Sequence, residues 1–207
     1  MGEKLGITLG DKYVVVTGSS GRLAGLLQKY WEIEPPEGLN VLWAGRTKDV
    51  DIFWDMMGDD QPLLPKGAVV LHLAGLIRGT VQELSQNAAM IKPLVEACQA
   101  SQAKGILFAS TAALYRQDGT LGQEEIVDPV NDYGRSKLEA EAELARLAHD
   151  LPYLSLRIGN VAGADALLGQ DPSRMIQLDP VAGREGGAGT ILDRADLFCQ
   201  SFGMPDR

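Results

Sequence analysis

The 207-residue sequence predicts an α/β fold built on a doubly wound parallel sheet. Two observations predict it: short apolar runs rich in β-branched residues alternate with longer helical patterns, and the first such run breaks into a glycine-rich turn. Residues 13–17 (YVVVT) are apolar on both faces, as a strand covered by helices on either side should be. Gly18 to Gly21 interrupt it and residues 22–30 read as a helix. Residues 41–44, 51–54 and 68–73 give the second, third and fourth strands. Residues 81–103 carry Val81, Leu84, Ala88, Ile91, Val95 and Cys98 at helical spacing, with Pro93 predicting a kink or a helix start. Residues 105–109 form a fifth strand, 133–149 the clearest helix, and 153–158 a sixth strand. Beyond Asn160 the pattern loosens into weak helical stretches at 164–168 and 191–202 around a glycine cluster.

Composition narrows the function classes. Nineteen Lys and Arg against twenty-eight Asp and Glu leave a net charge of −9, which argues against binding nucleic-acid phosphates. Cys98 and Cys199 match no metal or redox spacing, and no metal site is expected. No signal-peptide core and no membrane-spanning run is visible, so a cytoplasmic protein is expected.

Between the first strand and helix stands Thr17-Gly18-Ser19-Ser20-Gly21-Arg22-Leu23-Ala24-Gly25. Gly18 and Gly21 suit a tight turn that lets a pyrophosphate approach the backbone, and Ala24 or Gly25 would let helix and strand pack closely. The helix start offers unpaired N–H groups to that anion. At the end of the second strand Ala44-Gly45-Arg46-Thr47 has no acid for a ribose 2′-hydroxyl, while Arg46 suits a 2′-phosphate; this favours NADP(H) over NAD(H). Asp49 and Asp51 come too late in the chain for the ribose.

Tyr133 and Lys137, four apart at the start of the long helix, share one helical face. A phenol of ordinary pKa ~10 exchanges protons poorly near neutrality, and a nearby ammonium favours phenolate. Lys137 could also donate to a cofactor ribose. Ser110 or Thr111, where the fifth strand ends, could hold a substrate hydroxyl or carbonyl against Tyr133.

Together these residues resemble the short-chain dehydrogenase/reductase family, in its extended branch of nucleotide-sugar epimerases and dehydratases. Residues 17–24 are similar to its TGxxGxx(G/A) turn, Leu71-His72-Leu73-Ala74-Gly75 to its HxAx stretch, and Tyr133 with Lys137 to its YxxxK. Ser110-Thr111 resembles the hydroxyl-bearing strand end, and Arg157-Ile158-Gly159-Asn160-Val161 the stretch leading toward substrate. The resemblance spans about residues 13–163 and implies a Rossmann-like dinucleotide-binding domain over 1–163. It implies cofactor binding by Gly18, Ser20, Gly21, Arg22, Leu23, Arg46, Leu73, Ala74, Gly75, Tyr133 and Lys137, with Asp55 and Met56 at the adenine and Asn87 in the fourth helix. It further implies Tyr133 as acid/base, Lys137 as ribose ligand and pKa modifier, and Thr111 as the substrate-orienting hydroxyl with Ser110 its helper. Asn160 would contact substrate. His72, on an apolar strand, reads as a packed, hydrogen-bonded histidine.

Arg116 stands where the family has glycine, and Val161-Ala162-Gly163 lacks its aromatic and proline. Only 44 residues follow Gly163, so residues 164–207 are expected to be a short extension, the substrate lobe being short or missing. The function expected is an NAD(P)-dependent oxidoreductase or epimerase acting on a secondary alcohol or ketone, with a nucleotide sugar as candidate substrate. A non-catalytic NAD(P)-binding sensor or scaffold is the alternative. A homodimer paired through the two long helices is compatible with either.

Overall fold

The computed structural model describes residues 12–115 and 127–159. Six strands form one wholly parallel sheet: β1 (Lys12–Thr17), β2 (Leu39–Gly45), β3 (Ile52–Phe53), β4 (Val69–His72), β5 (Gly105–Thr111) and β6 (Tyr153–Ile158), in the order β3-β2-β1-β4-β5-β6. The chain builds outward from β1 through β2 to β3, then returns to β1's other side and builds outward again from β4. The point of reversal lies between β1 and β4, and a crevice opens there beyond their carboxyl ends.

The helices are α1 (Arg22–Ile33), α2 (Val81–Leu84), α3 (Gln86–Ala89), α4 (Ile91–Ala100) and α5 (Asp132–Leu147), with a 3-10 turn at Ala112–Leu114. Alternation along the strands divides the core. Val15, Val70, Ile106 and Phe108 join Ile91, Leu94, Cys98, Ala140 and Leu144 of α4 and α5 in one buried cluster. Val14 and Val16, also buried, face the opposite side. There α1 lies on β2, its Trp31 ring 5.7 Å from that of Trp43. Both faces being covered is why the strand sequences run apolar without a polar stripe.

The helical stretch expected over 81–103 is three segments. A capping box starts the first: Glu83 N–H donates to the Thr80 hydroxyl and Thr80 N–H to the Glu83 carboxylate. Pro93 falls in the first turn of α4, where its missing N–H breaks no bond inside that helix, so the helix-start expectation is the one observed. β5 runs two residues past its expected end and takes in Ser110 and Thr111. The stretches expected at 164–168 and 191–202 lie outside the described residues. Among the described residues no helix is long and apolar enough to cross a membrane, and no three His, Cys, Asp or Glu side chains are placed to hold a metal. Cys98 is buried and its thiol is pushed up to about 12 by desolvation, which leaves it unreactive.

Candidate functional site

The crevice is shaped by backbone. Gly18 sits at φ +73°, in the left-handed region, and a Cβ there would stand 2.7 Å from the Ala74 nitrogen. Only glycine lets the turn after β1 press this closely on the chain leaving β4. Thr17 secures the contact: its hydroxyl accepts from Ala74 N–H at 3.3 Å and pairs with His72 Nδ1 at 2.9 Å. Gly21 N–H donates to Gly18 O at 2.8 Å and Gly21 then caps α1. That cap makes no side-chain hydrogen bond and the first turn of α1 has no acidic residue. A twelve-residue helix thus presents its amino end to the turn with no anionic group of its own there, which fits a pyrophosphate.

Of the expected cofactor ligands, Gly18, Ser20, Gly21, Arg46, Asp55, Met56, Leu73, Ala74 and Gly75 line this crevice. Arg22 and Leu23 begin α1 outside its lining, Arg22 exposed and Leu23 half-buried, and Asn87, Tyr133 and Lys137 are outside it as well. Asp51 is drawn aside, its carboxylate accepting from Trp43 N–H at 2.8 Å, which accounts for its distance from any ribose role. A Cβ on Gly45 would meet the Ser19 hydroxyl, which rotation of that side chain would relieve. Ala24 is the fully buried residue where α1 meets the sheet, whereas a Cβ on Gly25 would meet nothing within 4 Å, so close packing rests on Ala24. Gln86 and Met90 also line the crevice from the α3 region; helical spacing alone gave no sign of this.

A second group of residues is shaped by side chains. Thr111, ending β5, lies close enough to the Tyr133 phenol to act on its titration, and its oxygen accepts from Ala113 N–H at 3.2 Å. Asn131 caps α5, its carbonyl accepting from Gly134 N–H at 2.7 Å. A Cβ on Gly134 would stand 2.6 Å from Ala113 O, so the glycine between Tyr133 and Lys137 allows α5 to sit directly on the 3-10 turn. This contact brings Tyr133 to Thr111. Neither the cap nor the role of Gly134 was legible in the YxxxK spacing.

Burial raises the Tyr133 phenol above its ordinary value and the Thr111 hydrogen bond works against that rise. The Lys137 Nζ lies over the Phe108 ring, 4.2 Å from the centroid. Lys137 itself is buried, and desolvation lowers its pKa to about 8, with Glu141 pulling the other way. Gly75 joins the two groups: it lines the crevice, and a Cβ there would stand 3.8 Å from Lys137 Nζ.

Asn87 acts as a strut. Its carbonyl accepts from Leu76 N–H at 2.7 Å and its amide donates to Leu76 O and the Ser136 hydroxyl, both at 2.9 Å. Ser136 in turn donates to Tyr133 O at 2.8 Å, so the pair ties the β4 loop to the helix bearing Tyr133 and Lys137. Ser136 was missed in the sequence because it is a spacer inside YxxxK. His72 is wholly buried; desolvation first, and the Lys137 charge second, lower its pKa to about 3, so it is neutral. This agrees with a packed histidine. Ser110 is buried, and its hydroxyl has no hydrogen-bond partner among the described residues. Asn160 lies outside the described residues. On β6, Arg157 forks the Glu141 carboxylate at 3.1 and 2.7 Å and donates to the Tyr115 hydroxyl at 2.9 Å, locking β6, α5 and the 3-10 turn together.

Comparison with known proteins places this geometry. The model of the NAD dependent epimerase/dehydratase family matches residues 55–180. No curated protein sequence matches the chain. Among solved structures, UDP-N-acetylglucosamine 4-epimerase from Bacillus cereus is 22% identical, with a TM-score of 0.56 over 70% of this chain and 53% of its own. MoeE5, solved with UDP-glucose and NAD, is 25% identical, TM-score 0.58, over 70% of this chain and 53% of its own. UDP-glucuronic acid 4-epimerase from Bacillus cereus, solved with NAD, is 19% identical, TM-score 0.60, over 72% and 56%. This chain therefore spans about half the length of the structures it matches.

Proposed function

We propose that this chain, which belongs to the NAD dependent epimerase/dehydratase family, carries out NAD(P)-dependent chemistry at a secondary alcohol or ketone of a nucleotide-linked sugar, with Tyr133 as acid/base. The observation that carries this reading is the contact between Thr111 and the Tyr133 phenol, with Lys137 one helical turn further along α5. The UDP-glucose and UDP-glucuronic acid bound by MoeE5 support the substrate class.

The crevice fits a dinucleotide. Its glycine turn and the amino end of α1 would hold the pyrophosphate, Asp55 and Met56 would hold the adenine, and Lys137, whose Nζ lies beside Gly75, would hold the nicotinamide ribose. When bound, the nicotinamide supplies the carbon that takes up and returns a hydride. Thr111 orients the reacting hydroxyl against Tyr133, which accepts its proton and later gives it back. Lowering a phenol by about three units takes roughly 4 kcal/mol. Burial opposes that shift, so on this reading the positive charge of the oxidised cofactor would supply it. Arg46 favours NADP(H), while the NAD found with two of the matched structures favours NAD(H). Separate titrations with NADPH and NADH decide, tighter NADH binding overturning the Arg46 argument. A homodimer through α4 and α5 is the assembly proposed, to be checked by sedimentation.

The test is turnover by Tyr133→Phe on a panel of UDP sugars. Loss of turnover with cofactor binding retained supports the mechanism, and undiminished turnover removes it. Binding of cofactor with turnover of no panel member, even by the unaltered protein, favours the sensor or scaffold.

A further inference from the structure

We propose that the Phe108 ring is a positioning element for Lys137: its face seats the buried ammonium and aims it past Gly75 into the cofactor crevice. Phe108 lies in β5, three residues before Thr111, with no exposed surface. Lys137 retains 4% exposure, and its Nζ stands 4.2 Å from the ring centroid. An ammonium withdrawn from water needs a compensating negative potential, and an aromatic face supplies one without a counter-ion.

The groups around Lys137 leave that role to the ring. Glu141, one turn further along α5, acts on it, yet its carboxylate is already forked by Arg157 of β6. Tyr133, one turn earlier, faces Thr111. His72 of β4 stacks on the same ring, centroids 5.7 Å apart and planes 16° from parallel, and is neutral. His72 is held in turn by the Thr17 hydroxyl. A packed chain therefore runs from the phosphate turn through Thr17, His72 and Phe108 to the Lys137 ammonium. A leucine at position 108 would fill the core but offer no face of negative potential, which separates this role from packing alone.

The consequence for cofactor binding rests on the reading of Lys137 as a ribose ligand; the seat itself is tested without cofactor. Phe108 is replaced, by site-specific incorporation, with 4-fluoro-, 3,5-difluoro- and 3,4,5-trifluorophenylalanine, which keep the ring while its face loses negative potential stepwise. Lys137 is then titrated by NMR at its ε-carbon in cofactor-free protein, with Lys137→Met assigning the signal. The ammonium pKa is expected to fall stepwise by about one unit across the series, a roughly tenfold larger acid dissociation constant, with melting little changed. A pKa that stays constant across the folded series overturns the proposal. Phe108→Leu is the second variant: if it folds, its Lys137 pKa must fall at least as far as in the trifluoro protein, and an unshifted value also overturns the seat. NADH affinity that drops in step supports both the seat and the ribose role. Affinity unchanged while the pKa falls supports the seat and removes the ribose role.

Discussion

The crevice between β1 and β4 and the cluster around Tyr133 are built on opposite principles. The crevice is specified by side chains that are missing: Gly18 for its approach to Ala74, Gly21 for its approach to Gly18 O, Gly75 for its closeness to the Asn87 carbonyl. The cluster is specified by side chains that are present, above all the buried Thr111 and Lys137 and the half-buried Tyr133. Adding atoms should therefore damage the first, and removing a single polar atom should damage the second. Binding and chemistry become separable by mutation.

The sharpest break of that comparison is Tyr133→Phe, which removes one oxygen from the cluster. Turnover in steady-state assays should fall by about a thousandfold, in the range typical of a lost general acid/base, with the melting temperature nearly unchanged. Gly18→Ala adds one carbon to the crevice. The clash with Ala74 and the left-handed backbone should cost about 2–3 kcal/mol in urea unfolding, and cofactor affinity should drop more than tenfold.

Lys137 offers a test in which activity and stability move apart. Its pKa is lowered to about 8 from 10.5, so the folded state binds fewer protons than the unfolded state between those values. Stability should therefore rise as pH increases from about 8 to about 10.5, because the cost of the buried charge is relieved. Activity that needs the ammonium should fall over the same interval. Urea unfolding and rate profiles measured side by side check this, and Lys137→Met should abolish the rise in stability. Thr111→Val keeps the shape and removes the hydroxyl, which should lower kcat about tenfold to a hundredfold. The smallest effect is expected at Gly25. Alanine there meets nothing within 4 Å and should stabilise α1 by about 0.5–1 kcal/mol, a rise of about 2 °C by calorimetry.

The sequence was most informative where chemistry and backbone geometry leave short local signatures. Thr17 to Gly21 and the Tyr133–Lys137 spacing are contiguous, so their turn and helical face could be read directly. The six strands were legible because a covered parallel strand is apolar throughout, although the end of β5 was placed two residues early, as Ser110 and Thr111 are polar but still paired with β6. What escaped was packing across the chain. Gly134 looks like a helix defect until Ala113 O is seen against it, and Arg157 looks like a strand residue until Glu141 and Tyr115 close around it. Phe108 reads as ordinary core, because periodicity reports that a side chain is inside and says nothing of the charge it lies beneath.

The central claim is that the crevice binds the dinucleotide independently of the phenol that performs the chemistry. Titration of NADH and of NADPH onto the unaltered protein and onto Tyr133→Phe, followed by nicotinamide fluorescence, tests it most directly. Equal affinities within about twofold are predicted, since 1.4 kcal/mol already corresponds to tenfold and the lost hydroxyl stands outside the crevice lining. Binding of neither NADH nor NADPH by the unaltered protein, or binding of the preferred one lost with the phenol oxygen, would contradict the account.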